Sequence, residues 1–311
     1  MNMKKKIIYI SIILILLAFL LLDPTTATEA SAAGLLLWFD SLVPALLPFL
    51  ILSDLLIALN GVSTLTRFLY PLFHRVFGCS RSGCYAIVTG FLCGYPVGAR
   101  VTADLVRSHQ ISREEGTYLL RFCNNASPAF LIGYCMNRRL QRPDLIPCTL
   151  LLIYGVPLLL SFFWRKGKSF SSLPAEKKTS GSQISFKIVD VCMMNGLESI
   201  LKLGCYILLF SMLARLLMKI PCPFSYVTYG SVGILEITNG IQLVSSDPTV
   251  PFILKYIFVL GFTAFGGISG AAQTESMILD SGLSVQIYLR AKILTAILVI
   301  GLALVFILLG L

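Results

Sequence analysis

Hydrophobic residues gather in nine blocks along the chain: 7–22, 42–59, 83–105, 117–136, 145–163, 197–218, 226–246, 250–279 and 293–311. Blocks of this length predict membrane helices. Four of them are interrupted by polar, glycine- or proline-bearing patches. In 83–105 the patch is Gly94-Tyr95-Pro96-Val97-Gly98-Ala99. Pro96 removes a backbone donor and biases Tyr95 away from helical angles, while Gly94 and Gly98 let another backbone approach closely. Thirty residues after Gly94 comes Asn124-Asn125-Ala126-Ser127-Pro128-Ala129. Glu236-Ile237-Thr238-Asn239-Gly240 interrupts 226–246, and thirty residues after Glu236 comes Gly266-Gly267-Ile268-Ser269-Gly270-Ala271. Two pairs of breaks with equal spacing, one in each half, read as an internal repeat. Backbone broken at membrane depth must face protein or a watery cavity, and paired breaks of this kind point to a transporter's binding site.

The basic residues orient the blocks. Lys4, Lys5 and Lys6 precede the first block, and no Lys or Arg occurs from residue 7 to 66 or from 220 to 254. Residues 23–40 and 245–248 are therefore expected outside. Arg67, His74, Arg75 and Arg81 return the chain to the inside. A re-entrant hairpin at 83–105 keeps Arg100, Arg107 and Arg113 there. Block 117–136 then crosses outward, which leaves Arg138, Arg139 and Arg142 outside against the rule, and 145–163 returns. The second half repeats the plan upside down. Block 197–218 crosses outward, 226–246 forms the second hairpin, 250–279 crosses inward, Arg290 and Lys292 face the cytoplasm, and 293–311 exits.

The fold expected is an all-α polytopic membrane protein with seven crossings. It is an inverted repeat with two re-entrant hairpins and two interrupted helices. Residues 1–30 form an N-terminal signal-anchor helix, favoured over cleavage near Ala30-Ser31-Ala32. Residues 31–164 hold the first repeat plus a connecting helix. Residues 165–187 are a basic cytoplasmic linker, and 188–311 hold the second repeat plus a C-terminal helix.

Composition narrows the function. The 311 residues are 56% hydrophobic and 13% charged, outside the range of a soluble domain. The net charge of +10 sits in short connections between blocks, so nucleic acid is not expected as a partner. The nine cysteines form no CxxC, and His74 and His109 lie apart from carboxylates. No metal site, cofactor or enzyme motif is expected.

An ionisable group inside a span is costly and marks function. Glu236, at a break beside Thr238 and Asn239, is the candidate for ion coupling, by carrying a proton or helping hold sodium. Its alternative is a carboxylate bonded to freed backbone N–H groups. Candidate substrate-binding residues are Gly94, Tyr95, Pro96, Gly98 and Arg100 at the first break and Asn124, Asn125 and Ser127 at the second. Thr238 and Asn239 serve the third, and Gly266, Gly267, Ser269 and Gln273 the fourth. Half-helix N-termini with Arg100 and Arg121 nearby favour an anionic ligand, with cytoplasmic anchoring the alternative for both arginines. Asp54 and Arg215, at similar depth, invite a structural ion pair.

Several of these motifs, together with Gly34-Leu35-Leu36-Leu37-Trp38 and Leu42-Val43-Pro44-Ala45-Leu46-Leu47-Pro48-Phe49, resemble the YlbJ-type sporulation integral membrane proteins. The motifs are Gly94 to Arg100, residues 122–128, residues 235–240 and Phe265-Gly266-Gly267-Ile268-Ser269. The likeness recurs in order over nearly the whole chain. Ser269 is followed by Gly270-Ala271 where the family usually continues Val-His, so any role of that histidine is absent. The wider group carries a nucleoside-recognition, or Gate, domain, similar in arrangement to concentrative nucleoside transporters. The resemblance implies a role in spore formation, moving dipicolinate, a small aromatic dianion, across the outer forespore membrane. The function expected is secondary transport of a small anionic metabolite. The alternatives are a nucleoside or other solute transporter of the same architecture, and a non-transporting scaffold or gate subunit of a spore-envelope complex. The bilayer, the anionic solute and a coupling proton or sodium ion are the expected partners, and a homo-oligomer stays open.

Overall fold

The computed structural model describes residues 3–59, 61–165, 167–170 and 186–308, and every regular element among them is helical. The N-terminal elements are α1 (Met3–Leu22), α2 (Pro24–Leu37), a wide π-type turn at Trp38–Leu42, α3 (Val43–Ala58) and α4 (Gly61–Phe77). Next come α5 (Arg81–Cys93), α6 (Val97–Arg107), α7 (Arg113–Leu120), a wide helix at Phe130–Leu140 and α8 (Ile146–Arg165). The C-terminal part holds α9 (Phe186–Met218), α10 (Ser225–Leu235), α11 (Ile237–Ser246), α12 (Phe252–Phe265), α13 (Gly267–Ile278) and α14 (Val285–Leu308).

By length and polarity, four helical stretches among the described residues suffice to cross a membrane: Pro143–Arg165, Phe186–Met218, Phe252–Ile278 and Val285–Ile307. Two sharply bent pairs raise the number to six: Ile10–Leu22 with Pro24–Asp40 at 114°, and Thr66–Phe77 with Arg81–Cys93 at 95°. The chain is thus a polytopic helical membrane protein. The remaining pieces fall short of the roughly 20 residues a span needs because the breaks cut them. Most of the expected linker, residues 171–185, lies outside the described residues. Its first turn is clipped to the α4–α5 corner, where the Phe170 N–H donates to the Gly78 carbonyl at 2.7 Å.

Residues 24–37, of which 24–30 were expected to continue the anchor helix, form a helix of their own. Asp23 caps this segment by accepting from the Thr26 N–H at 3.2 Å, and Pro24 occupies the first helical position, where a missing N–H costs nothing. Ala27, Ala30 and Gly34 are buried, and α2 lies along α9. A Cβ at Gly34 would stand 2.8 Å from the Ser211 hydroxyl, so small residues set this approach. The segment is poor in large apolar residues, and smallness is what packs it.

Helix α9 is the axis. At 33 residues it is about 50 Å long, against a hydrocarbon core of about 30 Å. Helices α2 and α3 flank it. Trp38, at the wide turn joining them, donates its indole N–H to the Ile200 carbonyl at 2.9 Å and lies over Gly204. The pairs α5–α6 and α10–α11 form two short hairpins. Each closes glycine on glycine: a Cβ at Gly98 would meet the Gly90 Cα at 3.0 Å, and one at Gly240 would overlap Gly233. The wide helix Phe130–Leu140 packs on α11, α13 packs on α6, and α8 packs on α14.

Candidate functional site

Each break has a local chemical cause. Gly94 ends α5 with φ +78°, a left-handed angle that favours glycine, and Pro96 follows it before α6 begins. Residues 124–127 are irregular, and the Ser127 hydroxyl accepts from the Phe130 N–H at 3.2 Å to start the next helix. Glu236 ends α10 in an extended conformation and caps α11. Its Oε2 accepts from the Asn239 N–H and the Asn239 side-chain amide, each at 2.8 Å, and from the Thr238 hydroxyl. Gly266, with φ +87°, ends α12 and opens α13.

All four breaks line one cavity. Tyr95 comes from the first, Ser127 from the second, Glu236 and Thr238 from the third, and Gly266, Ser269 and Gln273 from the fourth. Leu42, Leu46, Leu203 and Ile207 close it on the side of α3 and α9. Its volume is about 40 Å³, room for a few waters. The Tyr95 hydroxyl and the Gln273 Oε1 are buried without a hydrogen-bond partner. Buried polar atoms are nearly always bonded, so unpartnered ones at a cavity wall point to something that binds there.

The wall is held from behind. The Tyr95 N–H donates to the Asn125 carbonyl at 2.7 Å, tying the first break to the second. Asn124 accepts from the Ala99 N–H at 3.2 Å and donates to the Thr274 hydroxyl at 3.1 Å, tying both to α13. Asn125 donates to the Phe122 carbonyl at 2.6 Å and accepts from the Lys292 ammonium at 2.8 Å. The Tyr134 hydroxyl donates to the Thr238 carbonyl at 3.2 Å, so the second break also meets the third.

Two larger polar spaces lie at opposite ends of α9. One, about 550 Å³, is lined by Asp54, Arg100, Asp104, Lys187, Asn195 and Ser199 with apolar neighbours. The other, about 310 Å³, is lined by Glu29, Ser211, Arg215, Asn239 and Gln242 with apolar neighbours. A narrow space of about 20 Å³, walled by Leu46, Tyr95, Pro96, Arg100 and Leu203, leads from the first toward the central cavity.

The structure therefore divides the expected site residues. Tyr95, Ser127, Glu236, Thr238, Gly266, Ser269 and Gln273 meet at the cavity, and Pro96 and Arg100 stand in the adjoining narrow space. Asn239 faces the 310 Å³ space. Gly94, Gly98, Asn124, Asn125 and Gly267 stand behind the wall and shape it. Arg121 lies over the Trp164 ring at 5.9 Å instead of facing the cavity. The pair Asp54–Arg215 does not form: Arg215 approaches Glu29 at 3.9 Å, while Asp54 shares the larger space with Arg100. Lys292, read as cytoplasmic, is buried inside α14 with 1% of its surface exposed. Among the described residues no group of three or more His, Cys, Asp or Glu stands where it would share a metal ion.

No family model matches the chain. No solved structure matches it either. Among curated proteins, it is similar to the sporulation integral membrane protein YlbJ of Bacillus subtilis (strain 168), 28% identical over an alignment of 337 positions that takes in 94% of this chain and 81% of that protein. The resemblance to YlbJ-type sporulation integral membrane proteins, carried by motifs at the breaks, thus extends over nearly the whole chain.

Proposed function

We propose that the chain is a secondary transporter of a small anionic metabolite, with dipicolinate as the best candidate, working in the membranes of a sporulating cell. The observation that carries this reading is the single cavity lined from all four breaks, with polar spaces beyond it at both ends of α9. Alternating access needs a midplane site with a way out on each side, only one open at a time. We also read the two halves as an inverted repeat, each with one hairpin and one interrupted helix, similar in arrangement to concentrative nucleoside transporters. Reciprocal packing supports this: the second piece of each interrupted helix lies on the hairpin of the other half.

Charge favours an anion over a neutral nucleoside. Arg100 stands where the larger space narrows toward the cavity, its guanidinium donating to the Ser199 hydroxyl at 2.7 Å. An arginine fork suits a carboxylate, and the unpartnered Tyr95 hydroxyl offers a donor further in. A cavity of about 40 Å³ takes water and not a ring, so loading requires Leu46 and Leu203 to part. Likeness to a sporulation membrane protein supports the cellular setting.

The test is uptake of labelled dipicolinate into vesicles containing the purified chain, with uridine as competitor. Saturable uptake that uridine does not inhibit is expected. Uptake no greater than into protein-free vesicles defeats the reading, and uridine uptake without dipicolinate uptake moves it to a nucleoside.

A further inference from the structure

Lys292 is the buried charge that the proposed path does not use. It lies seven residues into α14, roughly 10 Å from the helix start. A lysine near a span end usually snorkels its ammonium out to water. This one does the opposite: its Nζ points inward and donates to the Asn125 Oδ1 at 2.8 Å. No carboxylate forms an ion pair with it among the described residues. The titratable groups facing it are the Cys123 thiol, just before the second break, and Tyr288 from its own helix, whose ring centre is 5.9 Å from Nζ. Helices α8, α12 and α13, which pack on α14, present no charged partner to it.

An ammonium so placed costs far more than a neutral tether, which glutamine would supply equally well to Asn125. Without a counter-ion, it either recruits an anion or gives up its proton. Its surroundings connect it to the cavity. Asn125 holds the Tyr95 N–H through its carbonyl, and Tyr95 lines the cavity. On the other side, the Tyr288 hydroxyl lies beside Asn124 and Thr274, and it stands 3.7 Å from where a Cβ on Gly266 would sit. Lys292 therefore touches the second break directly and stands one residue behind the first and the fourth.

Resting on the transporter reading, we propose that Lys292 is the coupling site, and that the coupled ion is a proton. The step is a plain transfer: one N–H bond of the ammonium breaks, the proton passes to water that reaches Nζ when the second break moves, and the electron pair stays on Nζ. The neutral amine then holds Asn125 without charge assistance, freeing the second break to move with its ligand. Glu236 is less suited to this work, because three donors of its own turn already occupy its Oε2.

The experiment uses vesicles containing the full chain, a lumenal pH dye and labelled dipicolinate as the probe. The wild type should accumulate dipicolinate against its gradient when a pH gradient is imposed, up to about tenfold per pH unit for each proton carried. A dipicolinate gradient should in turn move the lumenal pH. Lys292→Gln should keep exchange of labelled for unlabelled dipicolinate within about twofold and lose both coupled readouts. Asn125→Asp, which pairs the ammonium with a carboxylate and holds its proton, should lose the same coupling by a different substitution. Accumulation by Lys292→Gln equal to the wild type overturns the proposal. So does wild-type transport indifferent to pH, which leaves the transporter reading standing. Loss of dipicolinate binding by Lys292→Gln at every pH makes the residue an anion counter-charge and also overturns it. If the wild type carries no dipicolinate, both readings fall together.

Discussion

Replacing Asn124 with alanine separates two roles that the same side chain could have, clasp or ligand contact. The residue is wholly buried, and both ends of its amide are engaged, with the Ala99 N–H and the Thr274 hydroxyl. Ala99 is the third residue of α6, so its N–H has no partner within the helix and Asn124 supplies one. Alanine would strand both groups. Unsatisfied buried groups cost about 1–3 kcal/mol each, which would sum to roughly 2–6 kcal/mol. Hydrogen bonds within membrane bundles measure lower, about 0.6 kcal/mol on average and 1.7 at most. The lower scale should win for Thr274, whose hydroxyl can turn to a carbonyl of its own helix. The Ala99 N–H has no such choice. A loss of about 2 kcal/mol is therefore expected, or a melting temperature lower by about 4–8 °C at the scale of domains of about 150–250 residues.

Tryptophan fluorescence melting in detergent, using Trp38 and Trp164, would measure it. A double-mutant cycle with Thr274→Val should show coupling of about 0.5–1.5 kcal/mol, since the two share one bond. Dipicolinate affinity measured below the melt should change by less than about threefold. If Asn124→Ala melts within about 1 °C of the wild type but loses dipicolinate binding, the amide contacts ligand and the clasp reasoning is wrong.

Leu203→Ala removes one of the side chains shared by the central cavity and the narrow space beside it. It should raise downhill dipicolinate leak several-fold and lower accumulation; unchanged leak would place the barrier elsewhere. At the α11–α12 turn the Thr249 hydroxyl at 2.7 Å and N–H at 2.8 Å, with the Tyr229 hydroxyl, hold Asp247 down from 3.8 to about 2. A depressed carboxylate stabilises the fold above its unfolded pKa and ceases to as pH falls through its folded one. The melting gap between wild type and Asp247→Asn should thus be constant above about pH 4 and close toward pH 2, and a gap indifferent to pH would refute the assignment.

What the sequence made legible was local chemistry. Proline at 96 and 128 and glycine at 94 and 266 stand within polar patches of apolar blocks, so the breaks could be placed without any knowledge of neighbours, whereas Pro48, Pro71 and Pro157 lie inside continuous helices. That the breaks share one cavity was an inference from their paired spacing, and the lining residues follow it from all four. The role of Asn124 was out of reach, because its deciding partner, Thr274, lies 150 residues away. An amide at a break looks the same whether it faces a ligand or a neighbouring helix. That α2 is a separate helix packed along α9 was out of reach for a related reason. Alanine, threonine and glycine make a weak apolar block, but where two helices must come close in lipid they make a strong interface.

Lys292 marks the limit of reading charge by position. The positive-inside rule counts lysine and arginine near span ends, and Arg290 and Lys292 together satisfied it. On a helix, however, residues two apart point about 200° from each other. Arg290 is exposed, while Lys292, on the opposite face, is directed at the second break. The start of α14 at Val285 decides the matter. It comes eight residues before the apolar block at 293–311 begins, so Lys292 sits about two turns along the helix and not at its mouth. A hydropathy pattern locates the apolar stretch but not the helix that carries it. Where a helix begins earlier than its apolar run, basic residues in the overlap are divided by face, one to water and one to the interior. The interior one then has to find a use, because lipid-buried charge without a task is too costly to keep.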